Sequence, residues 1–138
     1  MKTMKTMKTT IRTTTLALAL AAPLLLLAAG NATAQDVKRG EKLFTDCKSC
    51  HTVEPGVNNV GPSLAGVIGR KAGTADGFRY SPAMKRSDIT WTPETLAAFI
   101  ADPQKVVPAN RMPYAGMPDS KDVKDLVAYL AKAGGAAK

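Results

Sequence analysis

The chain has 138 residues, 19 Lys or Arg against 11 Asp or Glu, one His and two Cys, and a formal charge of +8. That length suits a single domain and excludes a multidomain enzyme, while two cysteines exclude a multi-cysteine disulfide scaffold. One short apolar stretch likewise excludes a polytopic membrane protein.

The N-terminal stretch differs from the rest. Residues 1–34 carry Lys2, Lys5, Lys8 and Arg12 and no acidic residue. Residues 16–29 are apolar apart from Pro23 and lead to the small triplet Ala32-Thr33-Ala34. A basic start, a short greasy middle and an A-x-A end predict a secretory signal peptide over 1–34, cut after Ala34. The competing reading is a retained membrane anchor, but a span needs about 20 apolar residues and this run has 14. Cleavage leaves residues 35–138, a domain of 104 residues with formal charge +4. Half of the basic excess leaves with the leader, which weakens a nucleic-acid reading. Three Phe, three Tyr and one Trp remain. A domain this small buries little apolar surface, so a disulfide, a metal or a cofactor is expected to supplement its core.

In the exported part Asp36 can cap a helix whose Val37, Gly40, Leu43, Phe44 and Cys47 share a face. Residues 55–61, with Pro, Gly and paired Asn, read as loop. Ser63 is expected to cap a short helix, Leu64 to Ile68, that stops at Gly69. Residues 70–80 are polar and Gly-rich, an Ω-type loop. Ser81-Pro82 opens a helix through Arg86, with Pro at its favoured first position. Thr92-Pro93-Glu94 starts a third, Leu96 to Ala101, which Asp102-Pro103 ends. Residues 103–119 hold too many prolines for a regular element. Ser120 is expected to cap the strongest helix, with Val123, Leu126, Val127 and Leu130 at helical spacing and Gly134-Gly135 as its stop. Nothing alternates with the period of a strand, so the fold class is all-α. Long loops rich in Leu, Val, Tyr, Phe and Met are expected to wrap something other than protein.

Cys47-Lys48-Ser49-Cys50-His51 contains both cysteines and the only histidine. C-x-x-C-H is the attachment pattern of a c-type haem. Two thiols three residues apart on a helical turn reach the two vinyl groups on one porphyrin edge, and the next residue offers an imidazole to the iron. Three other readings compete. A structural zinc site wants four ligands and the motif has three. A thioredoxin-like dithiol belongs beside a βαβ pattern, which is missing. A short-loop disulfide leaves the long loops unexplained.

Around that motif the chain resembles the short soluble class I cytochromes c of bacteria and mitochondria. Gly40-x-x-x-Phe44 precedes the motif and Gly61-Pro62-x-Leu64 follows it. Gly69-Arg70-Lys71, Phe78-x-Tyr80 and Ile89-Thr90-Trp91 come next. Pro108-x-x-x-Met112-x-x-x-Gly116 and Leu126-x-x-Tyr129-Leu130 complete the ordered set. The resemblance implies a class I cytochrome c fold around one haem c, thioether-linked through Cys47 and Cys50. It further implies that His51 and Met112 bind the iron. Met84 and Met117 are the other methionines of the exported part, and methionine also serves as a core filler.

By the same resemblance the Pro62 carbonyl accepts from the His51 imidazole, while Arg70, Tyr80 and Trp91 hold the haem propionates. Gly40 and Phe44 are expected to pack on Leu126 and Tyr129 where the first and last helices cross. Two positions depart from the pattern: Phe99 stands where many members have Tyr, and Met84 where they often have Asn. Asp46, Gln104 and Asp119 stand where mitochondrial members concentrate lysines, which dilutes a basic docking ring. The implied role is a periplasmic single-electron carrier and not an enzyme. Its partners would be membrane and soluble redox proteins. Donors would be of the cytochrome bc type, and acceptors a terminal oxidase, reductase or reaction centre. Neither nucleic acid nor self-association is expected. The alternative is a haem-based ligand binder or peroxidase-like protein with an open sixth coordination position.

Overall fold

The structure, a computed structural model, describes residues 34–133 and 135. The leader reading therefore lies outside the described residues except for Ala34. Among the described residues there are five α-helices and no strand. These are α1 (Val37–Leu43), α2 (Pro82–Arg86), α3 (Pro93–Ala101), α4 (Pro103–Val106) and α5 (Ser120–Ala133). A single 3-10 turn, Phe44–Asp46, carries α1 into the C-x-x-C-H motif.

Each start has a local cause. The Asp36 carboxylate accepts from Arg39 N at 3.0 Å and caps α1. The Ser81 hydroxyl accepts from Met84 N at 3.1 Å, with Pro82 opening α2. Thr92 and Thr95 form a reciprocal capping box at the start of α3. Such caps satisfy N–H groups that the helix itself leaves without partners.

Three details differ from the expectation. The Leu64–Ile68 helix does not form, because Gly66 takes φ +60 and the segment folds as successive turns. The Ser63 hydroxyl instead donates to the Glu54 carbonyl at 2.6 Å, tying the loop back to the motif side. Second, Pro103 ends α3 but also begins α4. The Asp102 carboxylate accepts from Lys105 N at 3.1 Å, and a proline at the first helical position loses no bond. Third, Ser120 lies inside α5; the cap is Asp119, whose carboxylate accepts from Lys121 N and Asp122 N at 2.8 and 2.9 Å. An isolated antiparallel bridge, Lys71 to Thr90, joins two loops.

The core forms where α1 and α3 pack on α5. Phe44, Leu96, Phe99, Ile100, Val123, Leu126, Val127 and Leu130 are buried there. The Phe44 and Tyr129 rings meet at 5.4 Å, tilted by 42°. Gly40 allows this crossing: a Cβ on it would stand 2.6 Å from the Asp125 carbonyl carbon and 2.8 Å from Tyr129 Cβ.

Asp125, only 1 % exposed, staples the same crossing. Its carboxylate accepts from Asp36 N at 2.8 Å, Arg39 Nη1 at 3.0 Å and Lys121 Nζ at 2.8 Å. Arg39 also pairs with Asp122. The Lys121 bond, then the Asp36 N–H, hold the Asp125 carboxyl down at about 2, against burial. A carboxylate whose folded value is depressed stabilises the fold above its unfolded value, and that stabilisation fades as pH falls through the folded one. The thermal midpoint should therefore drop as pH falls from about 4 to about 2. Asp125→Asn should flatten that drop, as followed by helical circular dichroism. An unchanged slope in the variant would show that other carboxylates govern acid unfolding.

Candidate functional site

The motif sits just beyond the 3-10 turn, where the backbone continues to coil. Lys48 N donates to Phe44 O at 3.1 Å and His51 N to Cys47 O at 2.8 Å. That turn places Cys47, Cys50 and His51 together on the wall of one large cavity. Both cysteines are half-buried, and they form no disulfide with each other.

The loop after the motif then fixes the imidazole. Gly61 N donates to Cys50 O at 2.7 Å and Leu64 N to Thr52 O at 2.8 Å. These bonds lay the Gly61-Pro62 backbone against the His51 ring. A Cβ on Gly61 would stand 2.7 Å from His51 Nδ1 and 2.8 Å from Nε2. His51 Nδ1 lies 2.8 Å from the Pro62 carbonyl oxygen. A carbonyl only accepts, so Nδ1 carries the proton and Nε2 keeps its lone pair. Burial lowers the imidazole pKa below its usual value, and the Pro62 bond opposes that shift. His51 is thus a neutral imidazole with a fixed tautomer.

The cavity measures about 400 Å³, within the range of cofactor sites. Leu64, Val67, Trp91, Leu96, Phe99 and Leu126 make much of its wall. Trp91 and Phe99 pack at 5.0 Å, tilted by 54°. All eight residues picked from the sequence line this one space: Cys47, Cys50, His51, Pro62, Arg70, Tyr80, Trp91 and Met112. Met84 lines it as well, whereas Met117 packs against the core away from it.

The polar residues on the wall are anchored from behind. Arg70 donates from Nη1 to Ala65 O at 3.1 Å and from Nη2 to Ser63 O at 2.9 Å. Trp91 is tied to the Arg70 strip, its N–H donating to Arg70 O at 2.9 Å. Burial pushes the Tyr80 phenol up. Phe78 and Tyr80 stack edge to face at 4.8 Å. Two residues not singled out from the sequence also bear on the site. Asn110 is buried on the cavity wall and bonded to the backbone on both sides, and Val60 is exposed at its mouth. Only a Pro-Ala-Asn run ahead of Met112 could have flagged the first.

The residues present suit a covalently held haem. Two thiols at the vinyl spacing adjoin an imidazole with a free Nε2, in an apolar space that also holds a thioether, Arg70 and Tyr80. They suit a reactive dithiol poorly. Burial, then the Asp46 charge, then Cys50 push the Cys47 thiol up, whereas reactive dithiols need it lowered. A closed zinc site fits no better. Among the described residues no three His, Cys, Asp or Glu side chains converge as metal ligands do.

The family model for cytochrome c matches residues 37–134. The chain belongs to the cytochrome c family, as a class I monohaem member carrying covalently bound haem c. It is 53% identical over 87 residues to cytochrome c2 iso-2 of Magnetospirillum molischianum, covering 63% of this chain and 90% of that protein. Cytochrome c2 of Blastochloris viridis is 47% identical over 100 residues, 72% of this chain and 79% of its own. Among solved structures, cytochrome cH from Methylobacterium extorquens superposes with a TM-score of 0.66 at 48% identity. That match covers 69% of this chain and 96% of the other.

Proposed function

We propose that this protein is a periplasmic single-electron carrier in which His51 and Met112 would hold the iron of haem c. The observation that carries the reading is the convergence of both thiols, a neutral imidazole with Nε2 free, and a thioether in one apolar cavity. When bound, haem c supplies a one-electron iron couple. The chain's own residues bind, orient and exclude water. Cys47 and Cys50 fasten the group, and the Pro62 carbonyl keeps the His51 ring from turning. With the Met112 thioether and the His51 imidazole both holding the iron, no position would remain for a substrate. Val67, Trp91, Leu96, Phe99 and Leu126 keep solvent from the space between them. Phe99, on the same cavity wall as Met112, offers no hydroxyl there.

Docking is expected at the cavity mouth. Asp46 and Arg111 both line it, and Val60 is exposed beside them. Charges of both signs and an apolar spot suit brief, weakly steered encounters with redox proteins of the membrane and periplasm, such as a bc-type donor and an oxidase, reductase or reaction-centre acceptor.

The test uses the exported holoprotein. Its mass should equal residues 35–138 plus one haem that acid-acetone does not extract. Its visible spectrum should be six-coordinate and low-spin, with a sulfur-to-iron charge-transfer band, and unmoved by carbon monoxide. An open high-spin spectrum that shifts with carbon monoxide would favour the ligand-binding or peroxidase-like alternative. Electron transfer to an acidic partner should slow with salt by less than about tenfold, and a flat profile would remove the charged part of docking.

A further inference from the structure

We infer that Asn110 is a positioning residue that pins the Met112 segment, with Ala109 as a strained link beside it, and so sets how readily Met112 yields to an outside ligand. This rests on reading Met112 as an axial ligand. Asn110 is 7 % exposed. Its Nδ2 donates to Pro103 O and Val107 O, both at 2.9 Å, and its Oδ1 accepts from Met112 N at 2.9 Å. Only one orientation of the amide satisfies all three bonds, since two carbonyls need donors and one N–H needs an acceptor. The side chain thereby joins the Met112 backbone to α4 and its C-cap. Gln104 braces the same link, its Oε1 accepting from Ala109 N at 3.2 Å and its Nε2 donating to Asn110 O at 3.3 Å.

Ala109 has φ +63 and is the only non-glycine at positive φ among the described residues. A Cβ there is disfavoured, so this link would relax if the segment moved. The far end is anchored separately: Met117 N donates to Ile100 O at 3.0 Å. Between these anchors Met112 is held by the Asn110 bond and by the turn from Tyr114 N to Met112 O at 2.9 Å. Two opposed contributions thus meet one residue from each other. The Asn110 bonds favour the observed position of Met112, and the Ala109 backbone resists it.

Imidazole titration of the oxidised holoprotein reads this balance, because imidazole enters only where the thioether gives way. Asn110→Leu keeps the branched shape but makes none of the three bonds. It should raise imidazole affinity about tenfold with unchanged helical circular dichroism. Ala109→Gly removes the strain and should lower affinity about threefold. Wild-type affinity in both variants would overturn the inference. If Asn110→Leu takes up no haem, Ala109→Gly decides alone, and an unchanged value overturns it. Met112→Ala separates this from the ligand assignment. A charge-transfer band that survives Met112→Ala defeats the ligand reading, and this inference with it. Loss of that band beside two variants of wild-type affinity defeats the inference alone.

Discussion

Gly61→Ala should turn the holoprotein's low-spin spectrum partly high-spin and cost roughly 2–4 kcal/mol of stability. The new methyl would stand 2.7 Å from His51 Nδ1 and 2.8 Å from Nε2. The obstacle is a planar ring held by its bond to the Pro62 carbonyl, so it cannot fold away as a flexible side chain would. The ring must tilt, and tilting breaks its 2.8 Å bond to the Pro62 carbonyl. Overpacking and the lost bond therefore add. Gly69→Ala is the control, since Gly69 has φ +86 and nothing within 4 Å of a built Cβ. It should cost only backbone strain, about 1–2 kcal/mol, with the spectrum untouched. Visible spectroscopy and thermal unfolding of the two variants read both effects. A wild-type spectrum in Gly61→Ala would mean that the proximal loop is not what orients His51.

The second large effect is expected at the helix crossing. In isolation alanine favours a helix over glycine by up to about 1 kcal/mol. At position 40 the added methyl would stand 2.6 Å from the Asp125 carbonyl carbon, which is backbone and has no rotamer to change. Relief requires α1 and α5 to separate, which also strains the Asp125 bonds to Asp36 N and Arg39. Overpacking of this kind costs up to about 3 kcal/mol, so it outweighs the propensity gain by about 2. The thermal midpoint of Gly40→Ala should fall by roughly 8–16 °C. An equal or higher midpoint would show that the two helices already have room to move apart.

Both effects arise at glycines whose place in the family's pattern was legible in the sequence, while the atoms they meet were not. The all-α class, the C-x-x-C-H motif, the Ser81-Pro82 start of α2 and the Thr92-Pro93-Glu94 start of α3 can be read directly, because each depends on neighbours within a few residues. Caps, Pro at a first helical position and a three-residue thiol spacing are local facts. The motif and the ordered residues around it point to eight residues, and all eight line the cavity.

What escaped the sequence depends on contacts between distant segments. Ser63 had the look of a helix cap, but its hydroxyl bonds the Glu54 carbonyl and Gly66 turns left-handed, so no helix follows. Met84 on its short helix and Met117 after the loop glycine both read as core filler; α2 buries Met84 on the cavity wall, and Met117 is half-buried against the core away from it. Asp125 sits one residue before Leu126 on α5, and nothing in its own segment marks it as buried. Only the approach of α1 encloses it and supplies the Asp36 and Arg39 donors. Asn110 is the same case on a loop, since its amide matters only because α4 brings the Pro103 and Val107 carbonyls to it. A residue's chemistry is local, and its own sequence shows it. Whether a polar group is buried and partnered is decided by segments far away in the chain, and only the tertiary structure brings those together.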